Sequence, residues 1–159
     1  MKATDLAAWW GAVLATLVLA WDIYKWKHSG AVVNVSVSAN MQTFGGIPDE
    51  LEDKTFVVVE VSNAGDGKTT LTHLVGIHYK SLFQKFRKKR NTAFFVANPA
   101  YSEPLPHVLG PGERWVGGIE QNKDLEKMSR DGYLYCGVYH SGGKKPLLQR
   151  VIITKDQDT

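Results

Sequence analysis

The chain has 159 residues, 22% of them charged, with a formal net charge of +3, a single cysteine and five histidines. That length holds one ordinary domain plus a short extra segment. One thiol excludes an intramolecular disulfide framework, and nothing in the composition calls for an oxidising compartment.

The extra segment comes first. Residues 6–20 (LAAWWGAVLATLVLA) carry no charge, and Trp21, Ile23, Tyr24 and Trp26 extend the apolar run to about 20 residues, near the length that crosses a hydrocarbon layer. Leu6, Gly11, Leu14 and Leu17 belong to this anchor, with Trp9 and Trp10 in one interfacial belt and Trp21 and Trp26 in the other. The expectation is a membrane anchor over residues 1–28, in contact with membrane lipids, followed by a domain over 29–159. A cleavable signal peptide ending at Val18-Leu19-Ala20 and a buried soluble helix are the competing readings. Lys25 and Lys27 after the segment outnumber Lys2 before it, which leans toward a single-pass protein with a cytoplasmic C-terminal domain. Ala8, Ala12, Thr16 and Ala20 recur every fourth residue, a spacing that would let the helix self-associate.

From residue 30 onward, short strands alternate with turns. Residues 31–39 (AVVNVSVSA) alternate Val33, Val35 and Val37 against Asn34, Ser36 and Ser38, the period of a strand with one buried face. Further strands are predicted over 55–62, 69–80, 92–97, 113–119, 132–140 and 146–154, with short helices over 82–90 and 123–130. Between the second and third strands, Ser62 to Thr69 (SNAGDGKT) lies one glycine short of a phosphate-binding loop. A helix must follow such a loop to complete its anion site, and a threonine-rich strand follows here. The stretch therefore predicts a reversal between two strands, with no nucleotide and no other cofactor. Seven strands without helix-strand alternation predict an all-β antiparallel sandwich.

Several of these segments resemble the pattern of bacterial immunoglobulin-like domains. In "VVVEVSNAGDGKTTLTHLVGIHY" a valine-rich strand ends in Asn-x-Gly and a threonine-rich strand follows. "LPHVLGPGERWVGG", residues 105–118, resembles the Leu-x-Pro-Gly-Glu turn of such domains, and "GYLYCGVYHSGGKKPLLQRVII" resembles their closing hairpin. The resemblance implies an immunoglobulin-like sandwich of about seven strands and brings no catalytic residue. The inter-sheet cysteine pair and strand-C Trp of antibody domains are absent.

No catalytic set is legible. His28, His73, His78, His107 and His140 are scattered, and the odd separation of His73 and His78 puts them on opposite strand faces, so no metal site is expected. Cys136 shares a parity with Leu134 and Val138, as a buried thiol would. Two surfaces remain. Lys85, Arg87, Lys88, Lys89 and Arg90, with Phe86 among them, hold the chain's basicity: without these five charges the net charge falls from +3 to −2. An anionic lipid leaflet, an acidic partner or nucleic acid, and a plain solvated loop are the three readings of this run. Tyr133, Tyr135 and Tyr139 share the other parity of their strand and form a candidate partner face. The expected function is a non-catalytic, membrane-anchored module that binds a membrane-associated protein, with nucleic acid not expected. A secreted or periplasm-facing sandwich that binds a ligand or envelope component is the alternative, followed by a small hydrolase or nucleotide-binding enzyme.

Overall fold

The computed structural model describes residues 3–42, 54–87 and 92–154, and within its first helix the side chains from 8 to 26. That helix, α1, runs Ala3–His28. Alanine and leucine favour it and no proline or cap interrupts it. Its described side chains are all exposed.

Among the described residues no helix is long and apolar enough to cross a membrane. This overturns the transmembrane anchor and the single-pass location inferred from it. The physical reason lies in the sequence of the helix. Trp9, Trp10 and Gly11 on one side and Asp22, Tyr24 and Lys25 on the other squeeze the strongly apolar part into Val13 to Ala20. Gly11, Leu14, Leu17 and Trp26 thus decorate an exposed helix, Trp21 stacks on Tyr24 with centroids 6.0 Å apart, and the side chain of Leu6 lies outside the described residues.

The rest is two antiparallel sheets, as the strand pattern predicts. One holds β1 (Val33–Gln42), β2 (Thr55–Asn63) and β6 (Arg114–Glu120) in the order β1-β2-β6. The other holds β3 (Thr69–Tyr79), β4 (Thr92–Val96), β7 (Tyr133–His140) and β8 (Leu147–Val151) in the order β4-β3-β7-β8, while β5 (His107–Leu109) pairs with the start of β3. Two helices join them: α2 (Leu82–Phe86), capped by the Ser81 side chain, and α3 (Lys123–Arg130), capped by Asn122. The core lies between the sheets. Val57, Val59 and Val61 of β2 meet Leu71 and Leu74 of β3 and Leu134, Cys136 and Val138 of β7, and Leu125 of α3 closes one end.

Two local details depart from the sequence pattern. The turn after β2 does not fold its strands into a hairpin, because β2 and β3 belong to different sheets and the chain crosses the core there. Within β3, a register shift between Leu71 and His73 changes the face of everything after it. Leu71 and Leu74 therefore both point inward, while Val75, Ile77 and Tyr79, which share the parity of Leu71 in the sequence, are carried to the outside of the sheet.

On one side the two sheets are tied together. The backbone N–H of Val37 in β1 donates to Gln149 Oε1 of β8 at 2.9 Å, and Asn40 Nδ2 donates to the Thr154 carbonyl at 2.7 Å. On the opposite side β4 and β6 are edge strands, and rings fill the gap over glycines. Phe94 folds onto Gly76, and Trp115 folds back over Gly117 while its indole N–H donates to the Glu103 carbonyl at 3.1 Å.

Candidate binding face

The loop that imitates a phosphate site is a structural knot. Asn63 is buried: its Oδ1 accepts from the N–H groups of Val32 (3.2 Å) and Gly65 (3.1 Å), and its Nδ2 donates to the carbonyls of Gly67 (2.7 Å) and Gly110 (3.0 Å). The Glu113 carboxylate accepts from the Gly110 N–H at 2.6 Å, and the Asn63 N–H donates to the Glu113 carbonyl at 3.0 Å. The Asn-x-Gly and Pro-Gly-Glu segments, 50 residues apart in sequence, thus satisfy each other's buried backbone groups. Thr69 begins an extended strand, so no helix terminus faces the loop, and Lys68 is exposed beside it.

Among the described residues no convergent chemistry assembles elsewhere. Among the described residues no group of three or more His, Cys, Asp or Glu side chains could hold a metal ion. His73 and His78 fall on opposite faces of β3. Thr69, His140 and Ser141 do meet, with Thr69 Oγ1 at 3.3 Å from both His140 Nδ1 and Ser141 Oγ, but Ser141 is already engaged by the Thr70 N–H at 3.0 Å. Burial pushes the Cys136 thiol up to about 12, which removes it as a nucleophile near neutral pH. A cleft of about 500 Å³ beside Trp115 has its principal polar groups paired: His107 Nδ1 lies 2.8 Å from Glu103, and Arg114 lies 3.0 Å from Glu60.

What sets the molecule apart is the contrast between its two outer faces. The three-stranded sheet carries Asn34, Ser36, Ser38, Glu60 and Ser62 on its outer face, with Val58 and Val116 as its aliphatic members, and its cations are matched by carboxylates: Arg114 with Glu60 at 3.0 Å, Lys54 with Glu120 at 3.1 Å. The five-stranded sheet is apolar and aromatic outside as well as inside. The register places Phe95 beside Val75, Ile77 beside Tyr135, Tyr79 beside Tyr133 and His73 beside Tyr139 on its outer face.

Among the described residues this face contains no aspartate or glutamate, and its cations rest on rings instead. Lys85 Nζ lies 4.0 Å from the centre of the Tyr135 ring, and the Arg150 guanidinium 4.6 Å from that of Tyr133. Tyr135 in turn meets Tyr79 edge to face at 5.8 Å. The outward parity of Tyr133, Tyr135 and Tyr139 is therefore as the sequence pattern has it, but Tyr135 is covered by Lys85 and is buried, as are its neighbours Val75, Ile77 and Tyr79. Phe95 supplies the open part of the face at 71% exposure, beside His73. Next to it, α2 buries no residue and leaves Phe83 at 66% and Phe86 at 89% exposure, with Arg87 over the Phe83 ring.

Of the basic run, Lys85 thus rests on this face, Phe86 and Arg87 stand exposed on the adjoining α2 end, and Lys88, Lys89 and Arg90 lie outside the described residues. Sequence reasoning missed Arg150 and Phe95. Arg150 reaches Tyr133 only through the β7-β8 register, and in the pair Phe94-Phe95 only the pairing with β3 decides which ring turns outward.

No family model matches the chain and no curated protein matches it. A solved structure described as an X-ray structure of a Northeast Structural Genomics Consortium target, SoR45, is similar with a TM-score of 0.32 and 10% identity, over 80% of this chain and 89% of that one. A likeness so distant carries no inference about fold or function.

Proposed function

We propose that this protein is a non-catalytic binding module, an immunoglobulin-like sandwich that presents the outer face of its five-stranded sheet to a protein partner. The immunoglobulin-like assignment is supported by the sheet orders β1-β2-β6 and β4-β3-β7-β8 and by the interlocking of the Asn63 and Glu113 segments. The binding assignment rests on one observation: this outer face is aromatic and cationic without a carboxylate among the described residues, while the other sheet's outer face is rich in Ser and Asn, holds no aromatic ring beyond Phe56 and has its charges paired. Tyrosine and arginine are the residues favoured where proteins meet, and serine is depleted there.

Site-specific photocrosslinking tests the reading. With a benzophenone amino acid in place of Phe95, irradiation of cells expressing the full chain should yield a discrete protein adduct, and the same group in place of Ser36 should yield none. Adducts from both positions or from neither would refute the assignment.

A further inference from the structure

We propose that the partner segment received by this face is an extended acidic polypeptide with carboxylates on alternate residues, an inference that rests on the binding-face reading. Three observations lead there. Lys85 and Arg150 sit over tyrosine rings, and a ring orients a cation without cancelling its charge. Neither takes part in an ion pair among the described residues, whose Lys and Arg pairs, Lys54 with Glu120 and Arg114 with Glu60, both lie with the other sheet. With no Asp or Glu among the described residues of the face, the uncompensated charge calls for an anion.

The geometry narrows the anion. Tyr133 and Tyr135 are two residues apart on one strand, so the two rings that seat the cations repeat at about 7 Å along β7, with Arg150 reaching diagonally from its place opposite Tyr135. Carboxylates on alternate residues of an extended chain repeat at the same about 7 Å, since successive side chains of such a chain point to opposite sides. One side of the segment would then meet Lys85 and Arg150, and the chain could run on toward Phe95. Nucleic acid would also bring regularly spaced anions, but it gains from stacking bases on free aromatic faces. Here Lys85 and Arg150 already cover Tyr135 and Tyr133, which favours a polypeptide.

The test uses the full chain and a labelled hexapeptide alternating Glu and Thr, with fluorescence anisotropy as the readout. Binding should weaken about tenfold in Lys85→Gln/Arg150→Gln, the order expected when two exposed charge pairs are lost together. Lys54→Gln/Arg114→Gln removes the same net charge from the other sheet and should leave binding unchanged. A peptide of the same composition with its three glutamates in one block should bind several-fold more weakly.

Equal binding by Lys85→Gln/Arg150→Gln, or equal weakening by both double variants, would overturn the proposal. So would tighter binding of oligouridylate or of phosphatidylserine vesicles than of the peptide. If crosslinking through position 95 persists while peptide binding ignores Lys85 and Arg150, the acidic partner is wrong and the binding face stands. If crosslinking fails as well, both fall.

Discussion

Burial at a single residue has a pH signature. Cys136 sits in the core between Leu134 and Val138, and its thiol is raised from 9.0 to about 12 because burial penalises the thiolate. The folded protein therefore holds this proton to higher pH than the unfolded chain does. Its contribution to stability is complete below pH 9 and is lost as pH rises from about 9 toward 12. Cys136→Ala should differ from the parent by a constant amount below pH 9, and the gap should then shrink by up to about 4 kcal/mol, read from urea unfolding across pH. A difference that stays flat to pH 11 would mean that the thiol is not desolvated. The inward parity of Cys136 was legible in the alternation of its strand. The role of Asn63 was only half legible: its turn chemistry was plain, but its grip on Gly110 joins segments whose proximity only the fold creates.

Elements that look alike in sequence part company through pairing. The alternation of β3 was readable, but the shift after Leu71 was not, because nothing in Thr72-His73 marks a bulge and the hydrophobic pattern continues on both faces. β5 is three residues long, too short for any periodicity to register. In α1 the lack of charge was visible from residue 6 to residue 20, yet length and polarity had to be weighed together, and its tryptophans, Asp22 and Lys25 tip that balance away from a membrane span. Where strands meet, small residues make room for large ones. A Cβ on Gly76 would stand inside the ring of Phe94, its cross-strand partner, so Gly76→Ala should destabilise the sandwich by about 1–3 kcal/mol. In a Phe94→Ala background most of that cost should vanish, since the two residues are in contact. Equal costs in both backgrounds, measured by denaturant titration, would show that the ring does not set the requirement for glycine.

At the scale of the molecule, the sandwich is closed on one side by the hydrogen bonds from β1 to Gln149 and Thr154 and stopped on the other by Phe94 and Trp115. Both sheets are thereby held against one core, and the outer face of the five-stranded sheet becomes a platform. That platform is aromatic enough to attract its own kind. Its cations, uncompensated by any carboxylate among the described residues, act as a lock: two copies brought face to face would set Lys85 and Arg150 against their like, a juxtaposition that disfavours the wrong partner. Salt should pick that lock, because the Debye length falls from about 10 Å at 0.1 M to about 3 Å at 1 M. Sedimentation of the full chain should show association through this face tightening as salt rises, and Phe95→Ser should blunt the rise. Lys85→Gln/Arg150→Gln should already associate at low salt, and association indifferent to salt would deny the lock. A surface of this kind keeps itself vacant: the charge that invites an acidic visitor also turns away the protein's own copies.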